Sequence, residues 1–133
     1  MKNFSLSKKE RIKKRKDFET IYSTGSTVYS SNKTIKAIYS FNKAKNNAGL
    51  KIAAVVSKKQ GSAVWRNRVK RLIKESFRLN KGAILNECLE KKLDIKIIFS
   101  SQSFTQKENR NLYLNDFMPS VLEIITIIRK KMR

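Results

Sequence analysis

Apolar residues recur along the chain at two spacings, and the changes of spacing mark the elements. Over residues 9–23, Ile12, Arg15, Phe18, Ile21 and Tyr22 stand three and four apart, which predicts a first helix. Ser7 is its expected N-cap, Glu10 completes a capping box, and Gly25 is the expected stop. Residues 1–8 read as a loosely held arm. A short strand is expected at 27–29, followed by a turn at 30–33. From 34 to 41 the period falls to two, with Ile35, Ala37, Tyr39 and Phe41 on one side and Lys36, Ile38 and Ser40 on the other. That pattern predicts a strand with one buried face. Residues 42–49 read as a polar hairpin loop, and 50–57 (LKIAAVVS) as a central strand covered on both faces.

A loop at 58–62 leads to a long helix expected from Ala63 to near Asn80, stopped by Lys81 and Gly82. At about 100° per residue, Trp65, Val69, Leu72, Ile73, Ser76 and Phe77 share one arc. Asn67, Lys70, Arg71, Lys74 and Arg78 share the opposite one, with Arg66 at the margin. A shorter helix at 83–91 turns Ile84, Leu85 and Cys88 inward, and 93–100 alternates as a strand. Strand, helices and strand make a βαβ crossover between parallel neighbours. Residues 101–114 form a long polar loop, and Asp116 is the expected N-cap of a last, broadly apolar helix with Pro119 in its first turn. The expectation is one α+β domain over residues 1–133: a four-stranded mixed sheet packed by about three helices, in αβββαβα order.

Charge changes the picture most. The chain holds 31 Lys and Arg against 10 Asp and Glu, a formal net charge of +21. A polyanionic partner relieves the self-repulsion of such a chain, and nucleic acid is the first candidate. No apolar stretch approaches the roughly 20 residues of a membrane span, and no apolar region follows the charged start as in a secretory signal. Cys88 is the only cysteine, which excludes an internal disulfide and fits a reducing cytosol. Histidine is absent, so the commonest general base and metal ligand are missing. The acids are scattered, and no catalytic site is expected in the chain itself.

Two features remain as candidate binding surfaces. The basic arc of the long helix meets almost no acid, Glu75 alone lying near its edge, whereas a merely solvated face mixes both signs. Asn67 adds a directional donor and acceptor among the cations. On the first helix, Phe18 and Tyr22 stand one turn apart, with Arg11 and Arg15 on the same face and Tyr39 able to join from the strand. Spacing alone leaves two readings open, core packing or a platform for unpaired bases.

Residues 57–78 (SKKQGSAVWRNRVKRLIKESFR) closely resemble the signature of the bacterial ribonuclease P protein subunit. The matching positions are Lys58, Lys59, Gly61, Ala63, Val64, Arg66, Asn67, Arg68, Lys70, Arg71 and Arg78. The segment RIKKRKDFETIYSTG matches the family's first helix through Asp17, Phe18, Tyr22 and Gly25. The resemblance implies a subunit that binds one large catalytic RNA and, with it, removes the 5′ leader of precursor tRNA in the cytoplasm. It implies Mg²⁺ held by the RNA; the residues themselves make neither a metal site in the protein nor an obligate protein partner evident. Lys58, Lys59, Arg66, Asn67, Arg68, Lys70, Arg71, Lys74 and Arg78 would contact the catalytic RNA. Arg11, Arg15, Phe18, Tyr22 and Tyr39 would line a cleft for the leader. The family's crossover is left-handed, as in the second domain of ribosomal protein S5, although general chain physics favours the right hand. Ser62 stands where the family usually has Asn and Lys74 where it usually has Arg, and residues 102–114 are longer than usual. A ribosomal or general RNA-binding protein, a DNA-binding domain and an RNA-independent nuclease are the competing readings.

Overall fold

The computed structural model describes residues 10–44 and 48–132, so the expected arm at 1–8 and the Ser7 cap lie outside the described residues. Its elements are α1 (Arg15–Thr24), β1 (Ser26–Tyr29), β2 (Ile35–Lys43), β3 (Gly49–Val55), α2 (Ala63–Asn80), α3 (Gly82–Glu90), β4 (Leu93–Ser101) and α4 (Met118–Lys131). Short 3₁₀ turns stand at Lys58–Gln60 and Leu114–Asp116. The α+β class is as expected, but the order is αβββααβα, with four α-helices among the described residues.

The four strands form one sheet in the order β1-β2-β4-β3, antiparallel except for the parallel β3–β4 pair. Residues 42–49 are therefore not a hairpin loop, because β4 lies between the strands they join: Phe41 faces Ile95, and Ile95 faces Leu50. β3 is likewise an edge strand, not a central one. Its apolar run still reports its surroundings correctly, since Leu50, Ile52, Ala53 and Ala54 are all buried. Hydrophobic pattern records which faces are covered; it does not record which strand is the neighbour.

Alternation along β2 and β4 sorts side chains into two cores. On one face Ile35, Ala37, Tyr39, Ile95, Ile97 and Phe99 pack under α2, α3 and α4, through Trp65, Val69, Ile73, Phe77, Ile84, Cys88, Val121, Ile124, Ile125 and Ile128. On the other face Ile38, Ala53 and Ile98 pack with Ile12, Ile21 and Phe18. The side of β2 expected to stay open is thus closed at Ile38 by α1. In the larger core the Cys88 thiol is fully buried, 3.0 Å from the Gly49 carbonyl and 2.9 Å from that of Leu93, and burial pushes its pKa up.

α1 begins at Arg15, not at residue 9. Tertiary bonds override the helical pattern before it. The Ile12 N–H donates to the Ile52 carbonyl at 2.9 Å, so this stretch extends along β3, and the Glu10 carboxylate meets Lys81 Nζ at 2.9 and 3.0 Å. Gly25 ends the helix for steric reasons: a Cβ there would stand 2.6 Å from the Ile21 carbonyl oxygen and 2.7 Å from Ile38 Cγ2. At the other stops, Gly82 opens α3 instead of closing α2. Asp116 accepts the Tyr113 N–H at 2.8 Å one turn before α4 instead of capping it. Pro119 sits in the first turn of α4, as expected.

Candidate nucleic-acid interface

The start of α2 is set by two caps in succession. Ser57 accepts the Lys59 N–H at 3.3 Å while the Gln60 side chain accepts the Ser57 N–H at 2.9 Å, a capping box around the 3₁₀ turn that carries Lys58 and Lys59. Ser62 then caps α2 by accepting the Trp65 N–H at 3.3 Å. Asn and Ser are comparable N-caps, so the departure at this position keeps the local structure. Both lysines of the turn are exposed.

Trp65, Val69, Ile73, Ser76 and Phe77 are buried, as the helical period requires. The opposite side forms a concave surface of about 540 Å³ lined by Arg11, Asn67, Lys70, Arg71, Lys74, Glu75 and Arg78. Five of these seven are cations, held on one helix and one extended segment beside it. Burial together with the charges of Arg11 and Lys70 pulls the pKa of Lys74 below its usual value. Crowded like charges of this kind are relieved by an anion placed among them. Glu75 is the exception within the concavity: its hydrogen bond to Arg78 lowers the carboxyl pKa and raises that of Arg78.

The other predicted docking residues divide. Arg66 Nε donates to the Gly61 carbonyl at 3.1 Å, and an Arg68 terminal nitrogen donates to the Leu112 carbonyl at 3.0 Å. Each thus commits one of its five donors to holding the chain on either side of α2, and neither lines the concavity. Arg11 moves the opposite way. It was grouped with Phe18 on the first helix, but it precedes α1 and lines the basic concavity. Helical periodicity misplaced it because Arg11 bridges to Ile52 of β3, to which the Ile12 N–H also donates.

The aromatic group is divided by the sheet. Phe18 is half-buried against the α1-side core, while Tyr22, one turn on, is 51% exposed. Arg15 is exposed and ion-paired with Glu19 at 3.3 Å. Tyr39 lies in the core on the opposite face, 7% exposed, its ring 5.3 Å from that of Phe41. It therefore does not share a surface with Phe18 and Tyr22. What does share the α1 face is a row running across all four strands: Tyr29, Lys36, Ser100 and Val55 stand in register. Val55 packs with the α1-side core, Tyr29 is 45% exposed, and Lys33 Nζ sits 5.0 Å from the Tyr29 ring. The polar positions of β2 carried the signal for Lys36, but the row became visible only with the register.

Among the described residues no group of three or more His, Cys, Asp or Glu side chains is placed to hold a metal ion. Among them, too, no helix is long and apolar enough to cross a membrane.

Fold and surface together define a strongly basic α+β protein with a capped, cation-lined helix on one face of its sheet and an aromatic-bearing helix on the other. The family model described as Ribonuclease P matches residues 6–123. The ribonuclease P protein component of Staphylococcus haemolyticus (strain JCSC1435) is 35% identical over 128 residues, covering 96% of this chain and all of the relative. Among solved structures, a Staphylococcus aureus RNase P protein mutant with defective mRNA degradation activity aligns with a TM-score of 0.68 at 28% identity, over 92% of this chain and 90% of that one. The RNase P protein from Thermotoga maritima, 24% identical, aligns with a TM-score of 0.66 over 87% and 94% of the two chains and shares the fold. This chain belongs to the ribonuclease P protein family.

Proposed function

We propose that the chain grips the catalytic RNA of ribonuclease P through α2 and receives the single-stranded 5′ leader of precursor tRNA on the α1 side of the sheet. The holoenzyme would then act as an endoribonuclease that generates the mature tRNA 5′ end. The observation that carries this reading is the concavity lined by Arg11, Asn67, Lys70, Arg71 and Lys74, on a chain whose family is that of the RNase P protein. Cations spaced along one helix neutralise successive phosphates, and Asn67 bonds sugar or phosphate oxygens directionally. On the other face, unpaired bases stack on Tyr22 and the open edge of Phe18, while Lys36 in its register row supplies positive charge toward the backbone.

The protein's residues would bind and orient the RNAs, and Mg²⁺ held by the RNA would supply the Lewis-acid chemistry of hydrolysis. We extend to this chain the cytoplasmic setting and the left-handed, ribosomal S5-like crossover that the family resemblance implies, with no obligate protein partner. Reconstitution tests the reading. Added to a bacterial ribonuclease P RNA at low Mg²⁺, the protein accelerates leader removal from precursor tRNA. No acceleration, or equal cleavage by the RNA-free protein, overturns it.

A further inference from the structure

The segment between β4 and α4 belongs to neither surface described above, yet it is tied down along most of its length. The Gln106 N–H donates to the Gln60 carbonyl at 2.7 Å, and its side-chain oxygen accepts the Ser62 N–H at 2.7 Å. Trp65 Nε1 donates to the Asn109 carbonyl at 2.9 Å, and Arg68 to that of Leu112 at 3.0 Å. The Gln60 side chain reaches the Ser101 and Phe104 carbonyls at 3.1 and 3.0 Å. Gly61 leaves the room for this: a Cβ there would stand 2.5 Å from Trp65 Cε3 and 2.9 Å from Gln106 Cβ. Beneath, Leu112 is buried and the Phe104 and Phe117 rings pack 5.0 Å apart. The result is a fixed strap across the turn that carries Lys58 and Lys59 and the first turns of α2.

What the strap leaves in solvent is specific. Lys107 and Arg110 are exposed, and Tyr113 is 63% exposed immediately after the residue that Arg68 holds. Val64, 81% exposed, lies one helical turn before Arg68 on the same stripe of α2. Tyr113 and Val64 lie in solvent on either side of Arg68, and the ring of Tyr113 is thus open to stack on an unpaired base. Glu108 stands between the two cations of the strap and is also exposed. Charge alone therefore argues less than the anchored ring does.

We infer that the strap is a second RNA-gripping edge beside α2, on which Lys107 and Arg110 meet backbone phosphates and an unpaired base stacks on Tyr113. This rests on the reading of α2 as the docking helix for a structured RNA. The test uses the full chain and a bacterial ribonuclease P RNA, with thermal unfolding to confirm that each exposed-site variant folds as the parent does. K107A/R110A lowers the log–log salt slope of binding by about 1.5 units. Tyr113→Ala weakens binding on the order of ten-fold, and Tyr113→Phe restores it because the ring remains. In chemical footprints, Tyr113→Ala exposes RNA nucleotides that K70A/R71A/K74A leaves protected. A parent protein that does not bind this RNA defeats the α2 reading and the strap with it. A parent that binds while the strap variants match it, or lose only the nucleotides lost by the α2 variant, defeats the strap alone.

Discussion

The two helices that flank the sheet are built to opposite specifications. α2 is 18 residues long, capped by Ser62 just after a separately capped 3₁₀ turn, and rooted in the larger core by Trp65, Val69, Ile73 and Phe77. α1 is 10 residues long, lacks a side-chain cap, and buries only Ile21 fully. The outward surface of α2 is cationic and concave, whereas that of α1 offers a half-exposed tyrosine and an arginine already paired with Glu19. On the proposed reading, the difference separates two kinds of binding on one small domain. Phosphate neutralisation calls for many charges in a rigid row, and a helix rooted in the main core supplies them. Stacking needs one open ring face and tolerates a lighter helix.

The largest expected contrast is in stability. Phe77 is fully buried, its ring 5.9 Å from that of Phe99. Phe77→Ala should cost about 3–5 kcal/mol, whereas Phe18→Ala, at a half-buried site, should cost less than half as much. Denaturant unfolding of the two variants measures this, and equal losses would break the asymmetry. Next comes the salt response. K70A/R71A/K74A should reduce the log–log salt slope of RNA binding by about 2 to 3 units, while Tyr22→Ala leaves the slope unchanged. A slope that also falls in Tyr22→Ala would mean that the two faces are not separate in kind. Smaller again is the stacking loss itself. Tyr22→Ala should weaken holoenzyme binding of leader-bearing tRNA by about 1–3 kcal/mol and leave mature tRNA unaffected. Equal losses for both substrates would remove the leader from the α1 face.

The same asymmetry governed what could be read from sequence. The stripe Trp65, Val69, Ile73, Phe77 and the alternation Ile35, Ala37, Tyr39 were legible because each is a local period set by one core. The limits of α2, Ala63 and Asn80, were legible because the helical period holds between a polar loop and Lys81. The start of α1 was not, since Glu10, Arg11 and Ile12 are held by Lys81 and β3, which no local pattern contains. For the same reason Arg11 was grouped with Phe18 and not with the cations of α2 that it stands beside. The insertion of β4 between β2 and β3 was hidden too: strand order is fixed by pairing between distant segments, and the burial pattern is satisfied by either order.

The finest test of the contrast is the one cation that the basic concavity strains. Lys74 has a pKa lowered chiefly by burial, then by Arg11 and Lys70, so the folded chain holds that proton less tightly than the unfolded chain does. At neutral pH the charged Lys74 therefore opposes folding. That penalty is fully present below the lowered folded pKa, fades as pH rises from there toward the usual value of 10.5, and is gone above it. Relative to the parent, Lys74→Gln should be more stable near pH 7, with the difference closing across that alkaline window. RNA docked on α2 as proposed would reverse the balance, because phosphates beside Lys74 would favour its charged form. With RNA saturating, the stability advantage of Lys74→Gln should disappear at neutral pH, and the parent should bind RNA more tightly than the variant. No exposed cation of α1 should show this exchange of stability for affinity. Paired pH series of unfolding and RNA binding for Lys74→Gln and Arg15→Gln would decide it, and matching behaviour in the two variants would show that the concavity exerts no strain of its own.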